Sequence, residues 1–338
     1  MPPLLEVSDL SIEYFAGDQS TRAVDHVSFS ISNDEFLGLV GESACGKSTL
    51  LFGIARLLGD NADIVSGKVA YSGKNLVMLR ERQLRHLRWR DFSVVMQSAM
   101  NALNPVMTVE AQFRDALQSH SRISRKAARA RGAEVLQLVG IDPIHLKSYP
   151  HQLSGGMRQR AMIAMALLFT PDLILMDEPT SALDVVAQRS LMLQIKQLQK
   201  ELHFAVIFVT HDMALVGRYA DRIGVMYAGE LVEVAPSEEV FGRPKHPYTR
   251  GLLGAYPSVH GPRIELRGIP GRPPDLRFAI QGCRYADRCP EVKSRCREHA
   301  PEFYRVGDRD LVRCFLYDGR PAGPVAKGDV EVSEPVAG

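Results

Sequence analysis

The richest chemistry in the chain lies between residues 41 and 49. Gly41, Glu42, Ser43, Ala44, Cys45, Gly46, Lys47, Ser48 and Thr49 fit the pattern G-x-x-x-x-G-K-[ST] of a phosphate-binding loop. Gly41 and Gly46 allow backbone angles that turn successive N–H groups inward, and a following helix would add its unpaired first-turn donors. Lys47 supplies a point charge for the β- and γ-phosphates of a nucleotide. Ser48 supplies a hydroxyl for Mg²⁺.

Three further polar groups stand where buried strands should end. The run Asp172-Leu-Ile-Leu-Met-Asp-Glu-Pro179 delivers Asp177 and Glu178 to a carboxyl end, where α/β sheets bind ligands. Asp177 suits a water-mediated hold on Mg²⁺, and Glu178 suits polarising the water that attacks the γ-phosphate. The plainer reading of this pair is a helix N-terminus whose dipole favours acids. Gln97 closes a strand-like run from Asp91, and its amide oxygen could reach Mg²⁺ or the attacking water. His211 closes Ala205–Thr210 and could bond the γ-phosphate and Glu178. Each, taken singly, also reads as a surface amide or a turn cap. Ser154 suits a helix N-cap, and Gly155 and Gly156 leave that helix start uncovered, so its N–H groups could face an anion.

The elements that must position these groups can be read around them. Phe36–Val40 is a continuous apolar run, a buried strand entering the loop, and Leu50–Arg56 reads as the helix leaving it. Leu5–Tyr14 and Ala23–Ile31 alternate apolar with polar, as strands of an antiparallel layer do. Tyr14 could stack on an adenine or be an ordinary strand aromatic. Gly67–Tyr71 resumes a strand. From Val109 to Leu146 the pattern is helical, with Arg122, Arg125, Lys126, Arg129 and Arg131 clustered as a solvated face or a contact for a partner or phospholipid. Ser181–Asp184 precedes a long helix with apolar Leu191, Ile195 and Leu198.

At 338 residues the chain should form two domains, or one large domain with an appendage. A net charge of +2 gives no broadly basic face for nucleic acid. The amino terminus lacks a basic region followed by a long apolar stretch, so no export signal is expected. The longest uninterrupted apolar run is Ala161–Phe169, far short of the ~20 residues of a spanning helix. A soluble or peripheral chain is expected.

Proline and glycine rise at 243–250 and 268–275, as in an irregular extension. Cys283, Cys289, Cys296 and Cys314 follow. Disulfides, four unrelated buried thiols and a four-thiolate metal site are the readings, the last favoured. The spacings match neither paired zinc knuckles nor the common ferredoxin run. Arg284, Arg288, Arg295, Arg297 and Arg313 each adjoin a cysteine, and guanidinium groups there should favour the thiolate and offset the charge of a thiolate-ligated centre. Residues 321–338 read as a disordered tail.

Taken in order, these motifs resemble the nucleotide-binding subunit of an ABC (ATP-binding cassette) transporter over about residues 4–260. The resemblance implies an α/β, ABC-type P-loop NTPase cassette: a RecA-like core with an antiparallel β layer and a helical subdomain at about 98–165. It implies ATP and Mg²⁺. By that resemblance Tyr14 is the adenine-stacking aromatic, 41–49 the Walker A loop, and Gln97 the Q-loop glutamine. Residues 153–157 are then the signature, 173–178 Walker B with Glu178 as base, 181–184 the D-loop ending in Asp184, and His211 the switch histidine. Two such cassettes pair head to tail, so Ser154 and Gly156 would meet the nucleotide held by the partner. Ala44 and Cys45 replace the Gly-Ser of close relatives and Met157 replaces Gln; none of these changes is expected to cost activity.

The segment 261–320, with the preceding His-Pro-Tyr, resembles the carboxy-terminal extension of oligopeptide/dipeptide importer cassettes, a group that also takes nickel and some oligosaccharides. This implies a [4Fe–4S] cluster on Cys283, Cys289, Cys296 and Cys314, with Zn²⁺ as the alternative. The whole then implies an ATPase subunit on the cytoplasmic face of a bacterial inner membrane. Its partners would be a second, paralogous ATPase subunit, two transmembrane permease subunits and an extracytoplasmic solute-binding protein. A soluble cassette ATPase of repair or translation, and an iron–sulfur redox sensor with a vestigial ATPase, are the other readings.

Overall fold

The computed structural model describes residues 2–97, 102–181, 183–255, 268–307 and 309–318. The tail at 321–338 lies outside the described residues. Strands β1 (Leu5–Ala16), β2 (Gln19–Ile31) and β3 (Phe36–Val40) lead into helix α1 (Lys47–Ile54), followed by β4 (Ala62–Tyr71) and β5 (Lys74–Asn75). Helix α2 (Glu81–Leu87) and β6 (Phe92–Val95) precede α3 (Val109–His120), α4 (Arg125–Leu138) and α5 (Gly155–Ala166). Next come β7 (Leu173–Asp177), α6 (Val185–Leu202), β8 (Ala205–Val209), α7 (Met213–Tyr219), β9 (Arg222–Tyr227) and β10 (Glu230–Pro236). Helices α8 (Ser237–Gly242), α9 (Pro247–Gly254) and α10 (Ser294–Glu298) and strands β11 (Tyr304–Arg305) and β12 (Leu311–Val312) complete the series.

The chain divides into two compact units, one of Met1–Ser32, Leu37–Met78 and Val209–Gly338, the other of Asn33–Phe36 and Leu79–Phe208. In the first, β2, β1, β4 and β5 form an antiparallel sheet in that order. Its inward positions are the alternating apolar ones of β1, Leu5, Val7, Leu10 and Ile12, all buried. The alternation passes through an irregularity between Val7 and Leu10, beside which Gly67 takes a positive φ and a Cβ would come within 2.4 Å of the Asp9 carbonyl oxygen.

A second sheet of this unit has the order β11-β12-β10-β9-β3, with β3 parallel to β9 and the others antiparallel. Strand β3 is buried along its whole length, as its unbroken apolar run requires. Helix α7 lies flush against it: a Cβ on Gly38 would meet Val216 at 2.3 Å. The carboxy-terminal extension was expected to be irregular throughout. It instead adds the short hairpin β11–β12 to the edge of β10, because Leu311 and Val312 need an apolar surface to cover them.

In the second unit the strand order is β8-β7-β6, with β6 and β7 parallel. The helices start at side-chain caps: Thr108 accepts from the Ala111 N–H, Ser124 from Ala127, Ser154 from Met157 and Asp184 from Ala187. Arg131 of α4 donates to the carbonyls of Leu167 and Leu168 at 2.9 Å each, placing a cation at the C-terminus of α5. One arginine of the basic cluster is therefore an internal clamp rather than a solvated charge.

Candidate functional site

In the first unit, residues 41–46 form a tight loop between β3 and α1. Gly41 (φ 153°) and Gly46 (φ 105°) cannot be replaced without collision, since a Cβ would approach the Met226 carbonyl oxygen to 2.1 Å and the Ala23 carbonyl oxygen to 2.3 Å. Lys47, 6% exposed, folds back so that its ammonium donates to the carbonyls of Gly41 (2.8 Å) and Glu42 (2.9 Å). It also lies 3.6 Å from the Cys45 sulfur, whose thiol pKa is raised by burial, with Lys47 opposing. Ala44 takes a left-handed φ of 62°, a conformation that costs an L-residue roughly 1–2 kcal/mol and that glycine adopts freely. The Ala44 departure noted in the sequence is therefore a strained one. Ser43 is exposed, and Ser48 and Thr49 are half-buried at the helix start. The Tyr14 hydroxyl lies 3.3 Å from the Thr49 hydroxyl, so that aromatic is next to the end of the loop. His211 is exposed, just before Asp212, which caps α7.

In the second unit, β7 ends at Asp177, 2% exposed, and Glu178 follows in a left-handed conformation with φ 44°. Glutamate is rarely found there, and strain of order 1–3 kcal/mol is stored where neighbours over-determine the backbone. The Gln97 amide donates to a Glu178 carboxylate oxygen at 2.9 Å. The acids therefore do not open a helix, as the plainer reading had it, and the strand-end amide meets the strand-end carboxylate. Ser154, exposed, caps α5 by accepting from Met157 at 3.3 Å. Gly155 and Gly156 are half-buried, and a Cβ on Gly156 would meet no atom within 4 Å, so the start of this helix is uncovered. The Asp184 carboxylate is used locally, capping α6 at 2.9 Å from the Ala187 N–H.

The four carboxy-terminal cysteines are free thiols, and all four line one small cavity of about 20 Å³ with His246, Tyr285 and Phe315. Burial pushes the Cys283 thiol up to about 12 and Cys314 to about 11, and raises Cys289 in the same direction. The arginines do not offset this. Arg284 pairs with Asp25 and Glu230, Arg288 with Glu42, Arg295 with Asp318, Arg297 with Asp287 and Arg313 with Glu230. The expectation that they favour thiolates is thus corrected: each guanidinium finds a carboxylate, a stronger and less polarisable acceptor than sulfur. Among the described residues, no group of three or more His, Cys, Asp and Glu side chains is set closely enough to hold a metal ion. The donors suit a thiolate-ligated centre in number and kind, but the cavity has room for about one water, so a four-iron cluster would require its walls to move apart.

The His-Pro-Tyr segment opens α9. His246 is 2% exposed, its Nδ1 accepts from the Tyr248 backbone N–H at 3.0 Å, and its backbone N–H donates to the Glu233 carboxylate at 2.8 Å. Burial, with Arg250 adding repulsion, pushes its pKa down to about 3. Tyr248, Tyr227 and Tyr285 pack as a trio with ring centroids 4.6–5.4 Å apart. No local pattern in the sequence marks Glu42, Tyr227 or Tyr285. Arg288 stood out only for its place beside Cys289, and the His-Pro-Tyr segment only for its likeness to the importer extension.

The fold agrees with what the chain is similar to. Residues 24–181 match the family described as ABC transporter, and residues 232–296 match the one described as oligopeptide/dipeptide transporter, C-terminal region. The dipeptide transport ATP-binding protein DppD of Bacillus subtilis (strain 168) is 41% identical over 334 residues, spanning 98% of this chain and all of that protein. The DppD of Caldanaerobacter subterraneus is 40% identical over 95% of this chain and 99% of its own length, and the oligopeptide protein OppD of Bacillus subtilis is 39% identical over 93% and 88%. An ATP-binding cassette solved as a dimer in a post-hydrolysis state, bound to ADP and phosphate, superposes with a TM-score of 0.62 at 28% identity, covering 69% of this chain and 98% of the solved one. The chain belongs to the ABC transporter ATP-binding protein family. Within it, the chain carries the C-terminal region of the oligopeptide/dipeptide transporters.

Proposed function

We propose that this chain is the ATP-hydrolysing subunit of a bacterial importer for di- or oligopeptides or a related small solute. The observation that carries the reading is the loop at 41–46, whose two obligatory glycines and folded-back Lys47 make a cradle of backbone donors closed by one ammonium. Lys47 would hold the β- and γ-phosphates, and Ser48, Gln97 and Asp177 would hold Mg²⁺, Asp177 through water. Bound there, Mg²⁺ would supply neutralisation of charge on the phosphate oxygens. Glu178 takes a proton from water as its oxygen attacks the γ-phosphorus, and the bond to the β-phosphate oxygen breaks to release ADP. Gln97, donating to Glu178, orients that carboxylate. His211 would sense the γ-phosphate and Tyr14 would stack on the adenine.

Ser154, Gly155, Gly156 and Asp184 would serve a nucleotide shared with a second ATPase subunit, a paralogue. Two permease subunits and a solute-binding protein would complete the assembly on the cytoplasmic face of the membrane. Among the described residues no helix is long and apolar enough to cross a bilayer. We further propose a [4Fe–4S] centre on Cys283, Cys289, Cys296 and Cys314, with Zn²⁺ as the alternative. Protein purified without air should absorb near 400 nm and contain iron; colourless protein holding only zinc would settle for the alternative. The relatives named above carry transport names, which lends no support to a repair ATPase or a redox sensor. The test of the ATPase is hydrolysis by the purified complex. Glu178→Gln should keep MgATP binding and slow turnover about 10²–10⁴-fold, whereas Lys47→Ala should lose binding. Hydrolysis surviving both changes would move the work to another chain.

A further inference from the structure

Two residues of the carboxy-terminal region hold the second residue of the phosphate-binding loop. Arg288 is 7% exposed and lies on the turn Ala286–Arg288, between Cys283 and Cys289. Its guanidinium grips Glu42 with both prongs, Nη1 to Oε2 at 2.7 Å and Nη2 to Oε1 at 2.9 Å. The grip is set by its other contacts, since Nε donates to the Pro270 carbonyl at 2.8 Å and Nη1 to the Tyr227 hydroxyl at 3.3 Å. Tyr248, fully buried, accepts from the backbone N–H of Glu42 at 2.9 Å. Glu42 is thus fixed at backbone and side chain by residues 206 and 246 positions away. Arg284 holds the far side of the loop in parallel. It pairs with Asp25 and donates to the Ala228 carbonyl, and the next residue, Gly229, donates to the Cys45 carbonyl at 2.9 Å.

Such a clamp has a physical purpose. Glu42 is a carboxylate inside a loop built to hold a polyanion, and its backbone oxygen accepts from Lys47 at 2.9 Å. Left unpaired, its side chain would repel phosphate and compete for that ammonium. A two-pronged guanidinium neutralises the charge and fixes its direction in one interaction. We propose that Arg288 and Tyr248 are positioning residues of the nucleotide site, holding the Glu42 carboxylate and amide in place so that phosphate meets the loop without an opposing charge. The proposal rests on reading residues 41–49 as the nucleotide loop.

Equilibrium binding of MgADP to the full chain tests it. Arg288→Met should raise Kd about tenfold, or ~1.4 kcal/mol, and adding Glu42→Gln to that variant should bring Kd back to within about threefold of the starting protein, because the stranded charge is gone. Tyr248→Phe should raise Kd by a smaller factor. Unchanged binding in Arg288→Met overturns the proposal, as does a double variant no better than the single one, which is what a purely structural arginine would give. Should Arg288→Met not fold, Arg288→Lys keeps the charge but loses the fork. Its Kd should rise about threefold and fall again on adding Glu42→Gln, and no rise would be equally fatal. Lys47→Ala run alongside separates the two levels. If it abolishes binding while the Arg288 variants bind normally, the clamp alone fails; if it binds normally, the loop reading fails and the clamp with it.

Discussion

Gly46 is the residue where sequence and geometry agree most tightly. Its φ of 105° and the 2.3 Å approach of a would-be Cβ to the Ala23 carbonyl leave room for no side chain. Gly46→Ala should cost roughly 2–4 kcal/mol from left-handed strain and overpacking, read as a lowered midpoint in denaturant unfolding. Residues of this kind were legible because phosphate chemistry dictates their type and spacing together. The place of Glu178 just after a buried strand was legible but its left-handed backbone was not, since no local pattern announces strain imposed by neighbours. The five arginines were misjudged for a related reason. Adjacency to a cysteine in sequence says nothing about where a long side chain points, and each points at a carboxylate 10 to 259 residues away.

At the scale of elements, period and caps told most of the story. The alternation in β1 and β2, the apolar runs of β3, β7 and β8, and Ser154 at the start of α5 all appear where the pattern put them. The hairpin β11–β12 did not, because two-residue strands carry no periodicity and exist only by pairing with β10. Helix α9 and its His246 cap give a pH test. The folded pKa of about 3 lies below the ordinary 6.5, so between those values the unfolded chain takes a proton that the folded chain refuses. Stability should therefore be complete above pH 6.5 and fall as pH drops below it, by up to ~1.4 kcal/mol per unit from this group. Glu233, which accepts from the His246 backbone N–H, is shifted upward by burial and so contributes with the opposite sign, and the histidine's share is read from a variant. His246→Asn, which retains a cap acceptor, should flatten the dependence of the melting temperature over that window. An equally steep dependence in the variant would assign it elsewhere. At the other cap, Ser154→Ala should cost about 1 kcal/mol of helix stability and also weaken nucleotide-driven pairing with the second subunit, measured as a loss of ATP-dependent dimer on a sizing column.

For the molecule as a whole, the carboxy-terminal extension is the part least legible beforehand and most closely tied to the loop. Its turn beside Cys283 and Cys289 supplies Arg288 to Glu42 and Arg284 to Asp25, contacts whose partners are separated by 246 and 259 residues. Long-range pairs of this sort leave no signature in a single sequence, whereas the ordered set of short motifs from Gly41 to His211 does. By linkage, whatever loosens the cysteine-lined turn should be felt at the loop, and nucleotide at the loop should steady the turn by the same free energy. The central claim, that ATP handled by this chain drives solute across a membrane, is tested most directly by ATP-dependent uptake of a labelled dipeptide into vesicles bearing the complete complex. With Glu178→Gln in this chain, nucleotide should still bind while uptake falls at least a hundredfold. Uptake at the unaltered rate would contradict the account.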